Sequence, residues 1–388
     1  MSKVDPKVDE AIETLNMKDG PTRRRLLTGT GLVSATAAAS ALLAACSSAA
    51  PAAGSTSGTG AKDVAGNFPS TPKWKFTFVN HVTDNSFFTP TQYGFADCAA
   101  LLGLPTPTWT GATSTQPTVP TMLTALNSAI AANSPGIATT VVSATAFTSP
   151  IAKSLAAGIP IVTYNANGAT NKPTNGLAYI GQALFVSGQE VGARIAAAMP
   201  HGGTACGIIA QPGSLNIQPR LDGANAAILA AGKGLKILHS AGFDSGASQS
   251  QENTSIPEFI QANGPKLQGV FAVDGGSTAL LGPTLAKYGL TSKVASGGFD
   301  LEPATLKALA AGQLGFTIDQ SPYLQGFLPA LYLYLFNLSG GLISPSETDT
   351  GLKFVTKANV APYSSPTTRF EGSTTAQKYI PHSGAVSS

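Results

Sequence analysis

Two successive runs of alternating strand and helix patterns constrain the fold of this 388-residue chain more than any other sequence feature. In the first run, apolar strand patterns alternate with helical patterns: strands over 75–79, 136–142 and 159–164, and helices over 89–102, 122–132 and 149–157. Strands and helices that alternate with short connections favour a parallel sheet covered by helices on both faces. This part of the chain is therefore predicted to be an α/β lobe.

The same alternation restarts near residue 187. Helical patterns over 187–198, 222–231, 255–262 and 278–288 alternate with strand patterns over 205–210, 236–240, 269–273, 293–296 and 315–318. Two units of comparable size predict an α/β protein with two similar lobes. The roughly 315 residues that follow residue 72 are enough for two domains of ordinary size. Open parallel sheets bind ligands at the carboxyl ends of their strands, so we expect a binding cleft between the lobes.

The first 46 residues are typical of an export signal. Arg23 and Arg24 precede a pair of leucines, and an uncharged stretch rich in alanine, glycine and threonine follows as far as Cys46. Paired arginines with weak hydrophobicity favour twin-arginine export over general export. The small residues before Cys46 match a lipoprotein box, so we predict a twin-arginine-type lipoprotein signal over 1–46 with Cys46 lipidated. A membrane helix would need about 20 strongly apolar residues, and this stretch is too rich in alanine.

A flexible linker is predicted over 47–72, where small and polar residues dominate. A tether after a lipid anchor holds a folded domain close to a membrane without inserting it. We therefore expect the protein in the cell envelope, on the outer face of the cytoplasmic membrane or in the periplasm. The net charge is only +3, with no basic patch or acidic tail, so we expect no nucleic-acid partner.

Cysteines and histidines give no sign of a metal site or a disulfide. Cys98 falls in a helical pattern and Cys206 in a strand-like run, which favours two buried small side chains over a bridge. The four histidines lack the spacing of metal ligands, and no cofactor is expected. His81 follows a strand and could line the cleft, but a structural role is favoured for it.

Polar and aromatic side chains follow the predicted strands. This set consists of Asn80, His81, Asp84, Asn85, Phe87, Phe88, Asn165, Gln211, Asn216, Gln218, Arg220, Asp274, Asp300, Asp319 and Gln320. Planar amides and carboxylates form paired hydrogen bonds of the kind that vicinal hydroxyls require, and aromatic faces suit the C–H patches of a sugar ring. The set predicts a polyhydroxylated ligand, although asparagine and aspartate also favour turns, which leaves a structural role open for each residue.

Four short motifs carry a resemblance to a known family. They are Asn85-Ser86-Phe87-Phe88, the run AGIPIVTYN over 157–165, Gly298-Phe299-Asp300, and TIDQSP over 317–322. From Trp74 onward the chain resembles the type I periplasmic binding proteins of sugar ABC transporters, in the ribose and simple-sugar branch that includes autoinducer-2 receptors. The resemblance implies that Asn85 and Asp300 bind hydroxyls, that Phe87 and Phe88 sandwich the sugar, and that Gln320 reaches the ligand from the hinge.

The same resemblance assigns further positions and argues against one sugar. It makes Phe243 a ring-stacking aromatic, Asp274 a ligand position and Thr140 a polar contact. Asn165 stands where ribose binders begin an Asp-Arg pair, and Arg220 is the single arginine where they carry two. The loss of charge-assisted donors argues against ribose itself, so the predicted ligand is a monosaccharide or polyol.

The resemblance also implies two Rossmann-like lobes joined by a three-segment hinge near Ile180, Gln320 and Leu352. One lobe would comprise 73–180 plus 320–352, and the other 181–319 plus 353–388 with the tail. Hinge closure would bury the sugar or polyol and present it to an ABC permease and its ATPase. A monomer is expected.

Other functions fit the sequence less well. An enzyme is disfavoured because the chain has no GxSxG elbow, P-loop or metal motif. A transcription repressor would need an N-terminal helix-turn-helix where this chain has an export signal. A ligand-sensing receptor on the same fold, signalling to a membrane partner, stays open as the alternative.

Overall fold

The computed structural model describes residues 70–116, 118–143, 145–169, 172–341 and 345–364. These residues belong to one compact unit that begins at Ser70. The predicted signal with Cys46, the linker up to residue 69 and the tail after residue 364 lie outside the described residues. Within the described part, no helix has both the length and the apolar character that a membrane crossing requires.

Strands and helices alternate along the described chain. The strands are β1 Thr77–Asn80, β2 Thr108–Gly111, β3 Ile137–Val141, β4 Ile161–Ala169, β5 Lys172–Pro173, β6 Tyr179–Gly181, β7 Gly203–Ile209, β8 Leu235–Ile237, β9 Phe243–Asp244, β10 Gly269–Ala272, β11 Ala295–Phe299, β12 Phe316–Asp319, β13 Glu347–Asp349 and β14 Lys353–Val355. The α-helices are α1 Thr89–Leu101, α2 Thr118–Ala131, α3 Thr148–Ala156, α4 Leu184–Ala197, α5 Gln218–Ala230, α6 Gln249–Asn263, α7 Gly275–Lys287, α8 Pro303–Ala310, α9 Leu324–Ser339 and α10 Ala361–Ser364.

The first sheet has the strand order β13-β6-β4-β3-β1-β2, and these strands run parallel to their neighbours. The short strand β5 pairs with β4 in the antiparallel direction. Successive side chains point to opposite faces of a strand. Phe78 of β1 therefore packs with α1 and α9, whereas Val79 packs with α2 and α3 on the other face.

The second sheet has the strand order β14-β12-β11-β10-β7-β8. It is parallel apart from β14, which pairs antiparallel with β12. The short strand β9 pairs parallel with the C-terminal end of β7, past the residues that pair with β8. Helices α4 and α5 cover one face around Phe271, and α6, α7 and α8 cover the other around Val270. The two sheets confirm the predicted α/β class with two parallel-sheet lobes.

Within the described residues, the chain passes between the two sheets three times. It does so after β6, after β12 and after β13, and hydrogen bonds join the three passages. Thr350 N donates to Gly181 O at 3.0 Å, and Thr350 Oγ1 donates to Gln320 O at 2.7 Å. Gln182 Nε2 donates to Gly351 O at 3.4 Å. The first and third passages, and the second and third, are therefore bonded to each other directly.

Several elements differ from the sequence prediction. Strand β11 extends to Phe299 instead of ending at 296, because Gly297 and Gly298 lie directly against the side chains of Phe316 and Thr278. Glycines inside a strand pattern normally suggest a break, but here they allow close packing. Helix α9 was not predicted, since its sequence is apolar almost throughout and contains Pro329. Helix α5 begins at Gln218, four residues before the predicted start at 222.

The helix pair α4 and α5 packs with its backbones in contact. A Cβ atom at Gly188 would overlap the carbonyl of Arg220, and one at Gly192 would overlap the carbonyl of Ala224. Both glycines have ordinary helical backbone angles. Glycine is needed at these positions because a larger side chain would not fit, and not because the backbone adopts an unusual conformation. Glycines four residues apart on one helix face thus bring the N-terminal turn of α5, with Arg220, close to α4.

A methyl group at this interface is predicted to destabilise the protein. Gly192→Ala should lower the free energy of unfolding by about 1–3 kcal/mol, because the two helices would have to separate. Ala193→Ser, at the exposed position next to it, should change that free energy by less than about 0.5 kcal/mol. Urea unfolding followed by circular dichroism measures both, and equal unfolding midpoints would contradict the packing described here.

Candidate functional site

The loop after β1 leaves the carboxyl end of the first sheet and carries the first group of predicted ligand residues. Asn80 is buried, and its Nδ2 donates to Tyr164 Oη at 2.9 Å while its Oδ1 accepts from Val82 N at 2.8 Å. Asn80 therefore shapes the turn. His81, the next residue, is half-buried, and its Nδ1 lies 3.1 Å from Thr140 Oγ1.

A short 3₁₀ helix, Ser86–Phe88, ends this loop and presents the aromatic pair. Asn85 is exposed and caps the helix, with its Oδ1 accepting from Phe87 N at 2.9 Å. Its Nδ2 makes no hydrogen bond with the described residues. Phe87 is half-buried and stands edge-on to Phe88, with ring centroids 4.8 Å apart. Phe88 is buried in the core of the first lobe.

A chain of side-chain amides leads from the first sheet to the second. Asn165 has a left-handed backbone (φ 62°), and its Nδ2 donates to Gln325 Oε1 at 3.0 Å. Gln325 Nε2 lies 3.2 Å from Gln320 Oε1, and Gln320 Nε2 donates to Asp300 Oδ1 at 2.6 Å. Three of the predicted ligand residues are thus joined, through Gln325, in one continuous hydrogen-bonded network.

Carboxylates and one arginine gather at the carboxyl end of the second sheet. Asp274 caps α7, accepting from Ser277 N at 2.8 Å and from Ala210 N at 3.1 Å. Asp300 lies directly against Gly275, the first residue of the same helix. Burial raises the pKa of Asp300 to about 6, and the nearby charge of Arg220 opposes that shift.

Arg220 has little contact with solvent and is only partly hydrogen-bonded. Its Nη1 donates to Val273 O at 3.2 Å and its Nη2 to Gln182 Oε1 at 3.0 Å. Its Nε is buried and has no hydrogen-bond partner among the described residues. The guanidinium lies 4.2 Å from the centroid of the Phe299 ring, a distance typical of a cation–π contact. Burial lowers the pKa of Arg220, and Asp300 counteracts this effect.

Three other predicted ligand residues have partners within the second lobe. Asn216 Oδ1 accepts from Ser214 at 2.6 Å. Gln218 accepts from Gly213 N and donates to Asp222, both at 2.8 Å. Phe243 stacks on Phe259, with ring centroids 4.1 Å apart. These contacts give each of the three a structural function, and their ligand roles stay predictions.

One contact joins the loops at the mouth of the two lobes. Ser86 Oγ lies 3.1 and 3.3 Å from the two carboxylate oxygens of Glu302. Ser86 follows Asn85 and precedes Phe87, and Glu302 stands two residues after Asp300. The loop with Asn85 and Phe87 therefore meets the loop that follows Asp300, which brings predicted ligand residues of both lobes to the same place.

Sequence analysis missed several residues that shape this site. Gln182 and Gln325 hold Arg220, Asn165 and Gln320, but Gln182 follows the short strand β6 and Gln325 lies in α9, which was not predicted. Glu252 is buried on α6 and accepts from Ser277 Oγ at 3.2 Å. Burial, with the charge of Asp274 adding to it, raises the pKa of Glu252 to about 8. The sequence did offer a signal for Glu252, because this acidic residue lies at helical spacing from the buried Ile256 and Ile260.

Comparison with known proteins identifies the class that this fold and site define. Residues 76–336 match the family model of the periplasmic binding protein domain, so the chain belongs to the periplasmic binding protein family. It is 42% identical over 325 residues, or 81% of this chain and 78% of the relative, to the xylose/arabinose-binding protein XylF of Sulfolobus acidocaldarius. The family consists of binding proteins, which agrees with the prediction that the chain is not an enzyme.

Solved structures share the fold at low sequence identity. The glucose-galactose binding protein GanP of Geobacillus stearothermophilus superposes with a TM-score of 0.66 at 21% identity, covering 75% of this chain and all of that one. A solute-binding protein of Burkholderia graminis, solved in complex with D-arabinose, gives 0.67 at 21% identity, with 76% and 100% covered. These likenesses show a two-lobed α/β fold of the same kind.

The buried Glu252 predicts a pH-dependent stability. Its pKa in the folded state is above the ordinary 4.5, so its protonated form stabilises the fold below pH 4.5 and this contribution declines as pH rises through about 8. Between pH 5 and 8 the wild type should lose on the order of 2 kcal/mol that Glu252→Gln does not lose. Glu258→Gln, at an exposed position of the same helix, is the control. Parallel pH curves for all three proteins in chemical denaturation would contradict this prediction.

Proposed function

We propose that this protein is the substrate-binding component of an ABC importer and captures a neutral monosaccharide between its two lobes. A pentose such as xylose or arabinose is the first candidate. The observation that carries the proposal is the Ser86–Glu302 contact, because it brings together the loops with Asn85 and Asp300. An enclosed set of amide, carboxylate and aromatic groups from both lobes suits a small molecule covered with hydroxyls.

The most direct support for a pentose comes from sequence similarity. The relative at 42% identity is named for the binding of xylose and arabinose, and the similarity covers most of both chains. In this chain, the polar groups of the network are the neutral amides of Asn165, Gln320 and Gln325 together with Asp300. Amides both donate and accept hydrogen bonds, as the hydroxyls of an aldose do.

The charge of the site favours a neutral ligand over an acidic one. Asp274 and Asp300 both lie close enough to Arg220 to affect its pKa, and Arg220 is the single cation among these three groups. A carboxylate or phosphate on the ligand would therefore meet two acidic groups and one basic group. We expect sugars and polyols to bind and uronic acids to bind far more weakly.

We propose that the lobes close about the three passages between the sheets. The lobes would comprise 73–180 plus 320–352, and 181–319 plus 353–388. In support of this, Gln182, Gln320 and Thr350 each lie on one of the three passages. Hydrogen bonds link the passage of Gln182 and the passage of Gln320 to the passage of Thr350. Ligand binding would favour the closed state through its higher affinity for that state.

The location of the protein belongs to the same proposal. We infer that a twin-arginine-type signal exports the chain, that Cys46 carries a lipid anchor, and that residues 47–72 tether the binding domain to the membrane. The tether would keep the closed, loaded protein close to the permease and its ATPase. Membership of the periplasmic binding protein family supports export.

Titration calorimetry tests the proposed ligand class. A Cys46→Ser chain, which cannot be lipidated, is titrated with D-xylose, L-arabinose, D-galactose, polyols and D-glucuronate. We expect a Kd below about 10 µM for a pentose, and at least about 10-fold weaker binding after Asp300→Asn, because a buried hydrogen-bond acceptor is altered. Asp244→Asn, at an exposed position of β9, is the control. A folded protein that binds no sugar or polyol would refute the proposal.

The Ser86–Glu302 contact predicts a kinetic effect on ligand release. Ser86→Ala should speed sugar dissociation about 2- to 5-fold, because an exposed hydrogen bond between the lobes contributes on the order of 0.5–1 kcal/mol. The matched control is Ser114→Ala, which removes a serine–carboxylate bond to Asp84 within the first lobe. Stopped-flow fluorescence measures the rates. Equal dissociation rates for both variants would show that Ser86 does not hold the lobes closed.

A further inference from the structure

Helix α9 carries no charged side chain, although part of its surface faces solvent. Leu324, Leu328, Leu331 and Leu335 follow one another at intervals of four, three and four residues, which places them along one side of the helix. Leu324 and Leu335 are each 37% exposed, and the two leucines between them are half-buried. The solvent side of a surface helix is normally polar or charged, so this row of leucines needs an explanation.

The start of the folded domain lies against the ends of two helices of the first lobe. Lys73 Nζ donates to Gly103 O at 2.6 Å, two residues after Leu101, which ends α1. The ring of Trp74 stands edge-on to that of Tyr334 in α9, with centroids 5.7 Å apart. Residues 73 and 74 therefore contact both the end of α1 and the C-terminal half of α9.

These contacts place exposed apolar side chains beside the point where the chain enters the lobe. Leu101 is 72% exposed, and Leu335 directly follows the tyrosine that Trp74 contacts. Trp74 itself is half-buried. We call the surface formed by Trp74, Leu101, Leu331 and Leu335 the apolar face.

The charges that border the apolar face are mainly positive. Lys73 and Lys75 are both exposed. Asp97 is the one acidic residue of α1, and its carboxylate accepts from Tyr323 Oη at 3.1 Å. Apolar side chains bordered by lysines suit the boundary between the headgroups and the acyl chains of an anionic bilayer, where tryptophan is also favoured.

The proposed anchor brings a bilayer within reach of this face. Cys46 precedes Ser70 by about 24 residues, and a short flexible tether gives the attached domain an effective concentration on the order of millimolar at the membrane. A contact that is too weak to hold a free protein at a bilayer is therefore populated once the protein is anchored.

We propose that the apolar face docks on the anionic phospholipid bilayer to which the protein is anchored. Leu101 and Leu335 would enter the edge of the acyl-chain region, and Lys73 and Lys75 would lie at the phosphates. This inference rests on the proposed lipid anchor and adds a lipid-binding surface to it. Docking sets the orientation of the first lobe at the membrane, which a tether alone does not do.

The two tryptophans of the chain allow a direct test by fluorescence quenching. Trp74 precedes β1 at the amino end of the first sheet, whereas Trp109 Nε1 donates to Thr83 O in the loop at the carboxyl end. The full chain is coupled through Cys46 to a maleimide lipid in vesicles of phosphatidylcholine and phosphatidylglycerol with brominated acyl chains. Cys98 and Cys206 are buried, so the reaction selects Cys46.

Trp109→Phe reports on Trp74 alone, and Trp74→Phe reports on Trp109 alone. Because bromine quenches at short range and the docked face would enter the interfacial region, we expect Trp74 to be quenched at least about 2-fold more than Trp109. Vesicles of phosphatidylcholine alone should give weaker quenching of Trp74, since the lysines lose their anionic partners.

A charged variant tests the face while both tryptophans are kept. Leu101→Glu combined with Leu335→Glu should reduce the quenching at least about 2-fold, because anionic lipid repels carboxylates. Both leucines are exposed, so these changes leave the core intact. Leu229→Glu, at a 56% exposed position of α5 in the second lobe, is the matched control. The segment before Cys46 is the same in all the proteins compared.

Three results would overturn the proposal. They are equal quenching of Trp74 and Trp109, an equal loss of quenching in the Leu229→Glu control, and a vesicle-free protein that sediments as a dimer and becomes a monomer in the double leucine variant. The last result would show that a second copy covers the face. The mass of Cys46 in protein isolated from cells tests the anchor separately, so failure of the anchor and failure of the face are distinguished.

Discussion

The buried side-chain amide of Gln325 connects the parts of this molecule that would have to move relative to each other. Its Nε2 lies 3.1 Å from Gln320 O, 3.2 Å from Gln320 Oε1 and 3.2 Å from Thr350 Oγ1, and its Oε1 accepts from Asn165. A buried amide that lost these partners would retain the cost of its desolvation, on the order of 1–3 kcal/mol per group. The network therefore fixes the second and third passages between the sheets relative to each other.

Most polar contacts in this protein are hydrogen bonds between uncharged groups. Charged residues make up 11% of the chain, and an ion pair joins Lys353 to Asp319 at 3.4 Å. The carboxylate of the half-buried Asp274 is held by backbone amides, and that of the buried Asp300 by a glutamine. Because salt screens charges and has little effect on amide bonds, the fold should depend weakly on ionic strength. Amides both donate and accept hydrogen bonds, so such a network would suit the proposed recognition of hydroxyl groups.

The sequence could predict the parts of the fold that follow from local periodicity. The alternation of strands and helices gave two parallel-sheet lobes, and the strand ends identified Asn85, Asp274 and Asp300 as candidates. It missed β11 beyond residue 296 because two successive glycines normally indicate a break in a strand, whereas here the Phe316 ring and the Thr278 side chain fill the space beside Gly297 and Gly298. Gln182 and Gln325 acquire their significance from partners distant in the chain, such as Arg220 for Gln182, and no local pattern shows that proximity. For the same reason, the stacking of Phe243 on Phe259 could not be anticipated.

The central claim is that a pentose binds between the lobes, enclosed by groups from both. A crystal structure of the protein grown with D-xylose tests it most directly. The account predicts one sugar molecule between the loop of Asn85 and the loop of Asp300, with the amides of Asn165 and Gln320 near its hydroxyls. Sugar bound at another surface, for example beside Asp244 and Glu258 on the second lobe, with the space between the lobes holding only water, would contradict it.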